Sequence, residues 1–371
     1  MYRELTIVLA VLLPCAACFG QGPVDDALEE LRRFDAGSGR ARLLECARTI
    51  RENMSSGDLP AWRSLREIIL DPDRPPDVAP ILLDIAFEKA DQRIAEDVVS
   101  LGAELLKGLP DPPGLGPPET QHRIRLNALL ADRLLDALLE ERWKASVGAD
   151  RKTLELLQNY YLSPYLGPGG WSGRILTALH ASPAPAEQKR VLAEEIVAAK
   201  RRSTEHSPAL VNLLSEESFP GLRRLVRESP VDEFHYGAAA ALGDLGDREI
   251  LPYLKELRAG GAPRPLDGDL QRWIWRIEIQ HPPQRLLDYV VSTDERPILV
   301  ESRMWAIRRA SDVGLPKGQI RQAILDYAAN IEPDERGIRK GVASLKRLGL
   351  QLEVLHADDL PDVRIPHPGT P

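Results

Sequence analysis

Apolar residues recur at three- and four-residue spacing along almost the whole chain after its first twenty positions, and no run alternates as a strand would. In residues 41–53 the stripe is Leu43, Leu44, Ala47 and Ile50. In 61–70 it is Trp62, Leu65, Ile68 and Ile69, and in 78–90 it is Ile81, Leu82, Ile85 and Ala86. Each spacing predicts one helix with a single buried face. Asp58 and Asp77 stand just ahead of two of these helices, where a carboxylate can accept the free amide hydrogens of a first turn. Residues 108–118 read GLPDPPGLGPP, which excludes a helix and predicts a linker or loop. A long helix is predicted over 122–143 on the stripe Leu126, Leu129, Leu130, Leu134, Leu135, Leu138 and Leu139. Residues 160–171, YYLSPYLGPGGW, form a second irregular passage, either a spacer or an exposed binding loop.

From residue 208 onward the helices recur at a fixed interval. Leu213, Leu245, Ile279, Val313 and Leu348 mark the ends of successive first helices, 32, 34, 34 and 35 residues apart. A period of that size predicts stacked helix pairs. The fold expected is therefore all-α, an α-α superhelix or solenoid of antiparallel hairpins. Its parts are N-terminal hairpins over 21–107, the Pro/Gly passage 108–118, a helical block over 119–203, repeats over 204–357 and a mobile, Pro-rich tail over 358–371.

The clearest repeat is YGAAAALGDLGDREILPYLKEL, residues 236–257. Ala238 to Ala241 keep the first helix slim, Gly243 and Gly246 help end it, Asp247 can cap the second, and Ile250, Leu251, Leu254 and Leu257 form the second stripe. The stretch resembles the short HEAT-like repeats of the bilin-lyase type, which pair an alanine-rich helix with Leu-Gly, Asp and a Pro in the next opening turn. Here those positions are Ala238 to Ala241, Leu245-Gly246, Asp247 and Pro252. The neighbours keep less: Ala306, Val313-Gly314 and Pro316 in one, Ala343 and Leu348-Gly349 in another, while Gln280 replaces the glycine between them. The resemblance implies a solenoid and, most often in such arrays, protein association. Some arrays of this kind are enzymes, including bilin lyases and certain DNA glycosylases, but none of their catalytic residues maps here. Tetratricopeptide repeats share the period, yet their spaced aromatic signature is not reproduced.

Composition sharpens this reading. Aromatics are 5% and charged residues 28% of the 371 residues, as suits aliphatic stripes beneath charged outer faces. The net charge of −8 argues against nucleic acid, because the basic runs Lys200-Arg201-Arg202, Arg308-Arg309 and Arg339-Lys340 lie among acids. The first twenty residues read as an export signal: Arg3, an apolar run from Leu5 to Leu13, then Pro14, Ala16, Ala17 and Gly20. Two routes fit, cleavage with release to the periplasm or exterior, or lipidation of Cys18 after Ala16-Ala17, which would be the sole membrane link. Of three cysteines, Cys15 and Cys18 belong to this leader, so Cys46 has no partner in the mature chain and reads as a small buried residue.

The search for chemistry finds no catalytic, cofactor or metal motif. Seven histidines are scattered without ligand spacing, and HExxH, GxSxG and GxxxxGK are absent. Asp232, Glu233 and His235 read as a capping or surface trio. Asp132 and Asp136, four apart on a helix, offer the one carboxylate pair suited to an exported all-α enzyme acting on sugars. For binding, Arg272, Trp275 and Arg276 stand out. Trp273 and Trp275 are about 200° apart on a helix and cannot enter the same core, which leaves one ring beside two arginines as a candidate hot spot. The expected function is an exported scaffold that binds an unidentified protein without catalysis, with the sugar enzyme as the alternative.

Overall fold

A computed structural model describes residues 22–35, 37–109, 116–165, 171–292, 300–331, 341–361 and 363. The export signal, with Cys15 and Cys18, lies outside the described residues, as do residues 110–115 and 166–170 of the two irregular passages and most of the Pro-rich tail. Among the described residues every regular element is helical. The chain divides into two compact units, 1–192 and 193–371.

The first unit contains α1 (Pro23–Arg32), α2 (Arg40–Asn53), α3 (Leu59–Leu70), α4 (Val78–Lys89), α5 (Gln92–Lys107), α6 (Pro118–Ala137), α7 (Glu141–Ser146), α8 (Arg151–Leu162) and α9 (Trp171–Ala181). Helices α1, α3, α5 and α8 pack side by side in one row, and α2, α4, α6 and α9 in a second. The pairs α1–α2, α3–α4, α5–α6 and α8–α9 join the rows as rungs. The chain is thus all-α, and this is how α-α superhelices are built: each hairpin buries its stripes against the hairpins before and after it. Helices α5 and α6, which flank the Pro/Gly passage 108–118 in sequence, pack on each other.

Helix α10 (Ala186–Ala199) carries the division between units. The second unit continues with α11 (Pro208–Val211), α12 (Phe219–Arg227), α13 (Tyr236–Leu245), α14 (Leu251–Ala259), α15 (Leu266–Ile279), α16 (Arg285–Val291), α17 (Val300–Asp312), α18 (Lys317–Asn330) and α19 (Val342–Gln351). The anchors Leu245 and Ile279 are the last residues of α13 and α15, Leu213 and Val313 follow α11 and α17 closely, and Leu348 lies in the last turn of α19. Helix α13 packs on α11 and α15, α16 on α18, and α17 on α19, while α12–α13, α14–α15, α16–α17 and α18–α19 are the rungs. The pairing is shifted by one helix from the unit read over 236–257. Helix α13 leans on α12 and α15, and α14 on α15, because the four alanines let neighbours approach α13 closely and leave Ala238 to Ala241 fully buried.

Local chemistry explains where the elements start and stop, and where expectations fail. Asp58 caps α3 by accepting the Ala61 amide, 3.1 Å away, whereas Asp77 precedes α4 without a side-chain bond to it. Gly246 takes the left-handed conformation that ends α13, at φ 78°, while Gly243 lies within that helix against Trp273. Asp247 does not cap α14. It accepts the Glu249 amide and both arms of Arg223 instead. The long helix predicted to residue 143 stops at Ala137; the turn that follows leaves Leu139 47% exposed and lets Trp143 stack on Phe87 at 4.8 Å. Tyr160 and Tyr161 are buried residues of α8, not loop. The beginning of the tail is anchored too: Arg321 holds the Asp359 carboxylate, and the Lys346 ammonium donates to the carbonyls of Leu360 and Val363.

Polar ties repeat at the same interval as the helices, in both units. Trp62 and Arg66 reach Asp97, Arg51 reaches Glu88, and Ser182 reaches the Gly148 carbonyl, across 35, 31, 37 and 34 residues. In the second unit His206 reaches Gly237, Arg276 reaches Asp244 and His281 reaches Gly246, across 31, 32 and 35 residues. The N-terminal half therefore shares the construction, although its sequence shows no clean period.

Close approach sets a measurable constraint. A Cβ on Gly237 would lie 2.4 Å from the Lys200 carbonyl oxygen, whereas one on Gly268, in α15, would meet nothing within 4 Å. Gly237→Ala is expected to lower unfolding free energy by about 2 kcal/mol through overpacking. Gly268→Ala is expected to raise it by about 0.5–1 kcal/mol through helix propensity and chain entropy. Denaturant melts of the two variants check the pair.

Candidate functional site

The chemistry-rich part of the second unit is the seam between α13 and α15, with α17 beyond it. Both tryptophans of α15 follow from the helix period. Trp273 points into the core with no exposed surface, stacked on Phe234 at 6.2 Å and edge-on to Tyr236 at 6.0 Å. Trp275 points the other way and is half-buried against Tyr289 and Trp305, at 4.5 and 5.7 Å.

The three residues expected to face a partner are not one surface patch. Arg276 is interior, 8% exposed, with its guanidinium on the Asp244 carboxylate at 2.5 Å and over the Trp305 ring at 5.0 Å. The reason is Asp244, itself 3% exposed, whose charge in a dry seam requires a cation. Arg272 lies at the rim, bridging Glu205 and Asp269. Trp275 keeps partial exposure, consistent with one ring being kept out of the core.

The seam carries a lattice of paired polar groups, although the Trp273 indole N–H is buried without a partner among the described residues. Gln280 donates to the carbonyls of Gly243 and Arg276 at 3.0 and 2.8 Å and accepts from Arg309 at 2.5 Å. Arg309 also donates to the Leu245 carbonyl, 2.8 Å away, which ties α17 to the end of α13. His235 caps α13: its Nδ1 accepts the Ala238 amide at 3.0 Å and its Nε2 donates to the Ala198 carbonyl at 3.2 Å. Those two bonds require the neutral ring with its hydrogen on Nε2. Burial depresses the pKa of His235, and of His206, whose Nε2 donates to the Gly237 carbonyl. Burial pushes Asp244 the other way, up to about 6, against the pull of Arg276 and with help from Glu205.

Beside this lattice opens a cleft of about 630 Å³, bounded by Arg202, Thr204, Asp232, Tyr236, Pro265 and Asp269. Burial, and then the Asp269 charge, raise the Tyr236 phenol. The sequence contains both walls as separate signals, the Lys200-Arg201-Arg202 run and the Asp232, Glu233, His235 trio. Folding brings them together, with Arg201 bonded to the Glu233 carboxylate and to its carbonyl. What spacing could not supply is the return of α15, one period on, to close the third wall. The cleft offers charges, a phenol and a hydroxyl for recognition, while the buried histidines beside it are committed to structural bonds.

The other candidates resolve plainly. Arg174 bridges Asp132 and Asp136 at 2.5 and 2.6 Å and lies 5.5 Å from the Trp171 ring centroid, on a surface where Asp136 is exposed. Cys46 is buried and free, and burial raises its thiol to about 11, so it is a packing residue rather than a nucleophile. Among the described residues no group of three His, Cys, Asp or Glu side chains could hold a metal ion.

Two outcomes follow from the seam. Arg276→Met strands a buried carboxylate and is expected to cost about 3–5 kcal/mol, whereas Arg272→Met, at the rim, costs less than about 1 kcal/mol; urea titration compares them. With its folded pKa raised, Asp244 contributes stability that is full below about pH 4 and lost as pH rises through about 6. His206 and His235, with folded pKa depressed, contribute stability that is full above about pH 6.5 and lost as pH falls. Asp244→Asn removes only the first contribution, so its stability should climb more steeply between about pH 4 and 6.5 than that of the native chain. Equal slopes would contradict the assignment. Compared with protein-family models, with curated proteins and with solved structures, the chain matches none of them.

Proposed function

We propose that this chain is an exported helical-repeat scaffold that holds another protein and performs no chemistry of its own. The observation that carries the reading is the two-row packing of the first unit, α1, α3, α5, α8 beside α2, α4, α6, α9, with helix pairs joined in the same way at α12–α13, α14–α15, α16–α17 and α18–α19 in the second. Rows of parallel neighbours make broad, rigid surfaces with shallow clefts, which suit the docking of a macromolecule better than the enclosure of a small one. Export rests on the leader residues 1–20, with either release or attachment through Cys18 as its end.

The sugar-enzyme alternative is disfavoured by Arg174. A glycosidase needs one carboxyl that holds a proton and a second free to attack or to activate water. Here one guanidinium bridges both Asp132 and Asp136, and the adjacent Trp171 ring packs against that same cation.

Photo-crosslinking of the full chain in intact cells, followed by mass mapping, tests the scaffold. The expected result is crosslinks to one protein species, concentrated along one helix row, and a mature N-terminus within residues 18–21. Glycan hydrolysis by the native chain that disappears in Asp132→Asn/Asp136→Asn would overturn the reading in favour of the enzyme.

A further inference from the structure

The second unit holds a groove that the sequence did not single out, between neighbours α16 and α18. Its void is about 1010 Å³ and open to solvent. Gln284 and Asp288 line it from α16; Gln319, Gln322, Asp326 and Asn330 line it from α18. These positions are spaced by four, and by three, four and four, so each set is a stripe on one helix face. Five of the six are exposed and Asp326 is half-buried. Buried Leu287 and Ala323 form an apolar floor between the stripes.

The walls are fixed. Arg303, 7% exposed, donates to the carbonyls of Val290 and Ser292 at 3.1 and 2.8 Å, which secures the end of α16, and its guanidinium lies 4.5 Å from the ring centroid of Tyr327 on α18. A groove held this way loses little freedom when filled.

Its chemistry selects one kind of occupant. Carboxamides donate and accept together, as a peptide backbone does, and four line the groove, Gln319, Gln322 and Asn330 on α18 with Gln284 facing them from the start of α16. Asp326 accepts from Gln322 at 2.7 Å, and among the described residues neither Asp288 nor Asp326 is paired with a cation. Asn330 is the last residue of α18, where the carbonyl end of the helix adds negative potential. Eleven steps from Gln319 to Asn330 span roughly 16 Å at a helical rise of about 1.5 Å, which about five extended residues cover at roughly 3.3 Å each. No aromatic ring lines the groove among its described residues, so it lacks the stacking platform that a sugar would use.

We propose that the α16–α18 groove binds an extended, cationic peptide segment of a partner protein, with backbone amides on the Gln and Asn rows and Lys or Arg side chains on Asp288 and Asp326. This rests on the scaffold reading and names the chemistry of its partner.

The test uses the full chain and a fluorescent peptide, Lys-Thr-Lys-Thr-Lys, followed by anisotropy, with Glu-Thr-Glu-Thr-Glu as the acidic counterpart and spermine as competitor. The basic peptide should bind saturably and the acidic one not at all. Asp288→Lys/Asp326→Lys should weaken binding at least tenfold, and Gln319→Leu/Gln322→Leu at least threefold, while Glu256→Lys on α14 leaves it unchanged. Circular dichroism and melting curves confirm that each variant folds. Unchanged affinity in the charge-reversed variant overturns the site. So does loss of spermine and peptide binding in parallel with no effect of the glutamine changes, which would mark an acidic patch indifferent to the backbone. In the cellular crosslinking experiment, a partner kept by Asp288→Lys/Asp326→Lys sinks this groove and spares the scaffold, whereas no protein partner for the native chain sinks the scaffold itself.

Discussion

The helices bury their apolar stripes against helices near them in sequence, as two rows joined by rungs in the first unit, and in the second as the rungs α12–α13, α14–α15, α16–α17 and α18–α19 with the side contacts α13–α15, α16–α18 and α17–α19. That constraint governs the rest. It places the most buried side chains, such as Trp62, Trp143 and Trp273, at seams between neighbouring hairpins. It also sets the span of polar ties, which run from one helix to its counterpart about one period away in both units. A charged group enters such a seam where a neighbouring helix supplies its complement, as Arg276 of the following α15 does for Asp244 and Arg223 of the preceding α12 for the 1% exposed Asp247.

Much of this was legible in the sequence. Three-and-four spacing marked the helices, the anchors Leu245 and Ile279 fell on helix ends, and the angle between Trp273 and Trp275 foretold that one ring would be kept from the core. The all-α fold follows from these patterns. The phase of the pairing did not, since a repeat interval is the same whichever adjacent helices form the rung. Ala238 to Ala241 suggested close packing, but not which neighbour would come close. Arg276 looked like a surface cation because helical spacing says nothing about a carboxylate 32 residues earlier. The cleft and the α16–α18 groove were hidden for the same reason: each is assembled from residues one period apart, individually ordinary and informative only when adjacent.

The interior electrostatics and the surface play different parts. Within the α13–α15–α17 seam, desolvation acts on both kinds of group, raising Asp244 and depressing His206 and His235. Their contributions to stability run in opposite directions across the mildly acidic range and partly offset one another. The groove proposed for recognition lies outside that seam, in groups that remain open to solvent, such as Asp288 and Gln319. A partner seated there would leave the bonds of the seam undisturbed.

Nearest-neighbour packing also determines how the chain responds to load. Within each unit, tension meets rungs made of helices adjacent in sequence, such as α1–α2 and α18–α19. Hairpins such as α1–α2 or α18–α19 can peel from the next in sequence, yielding in small increments and re-forming when the force relaxes.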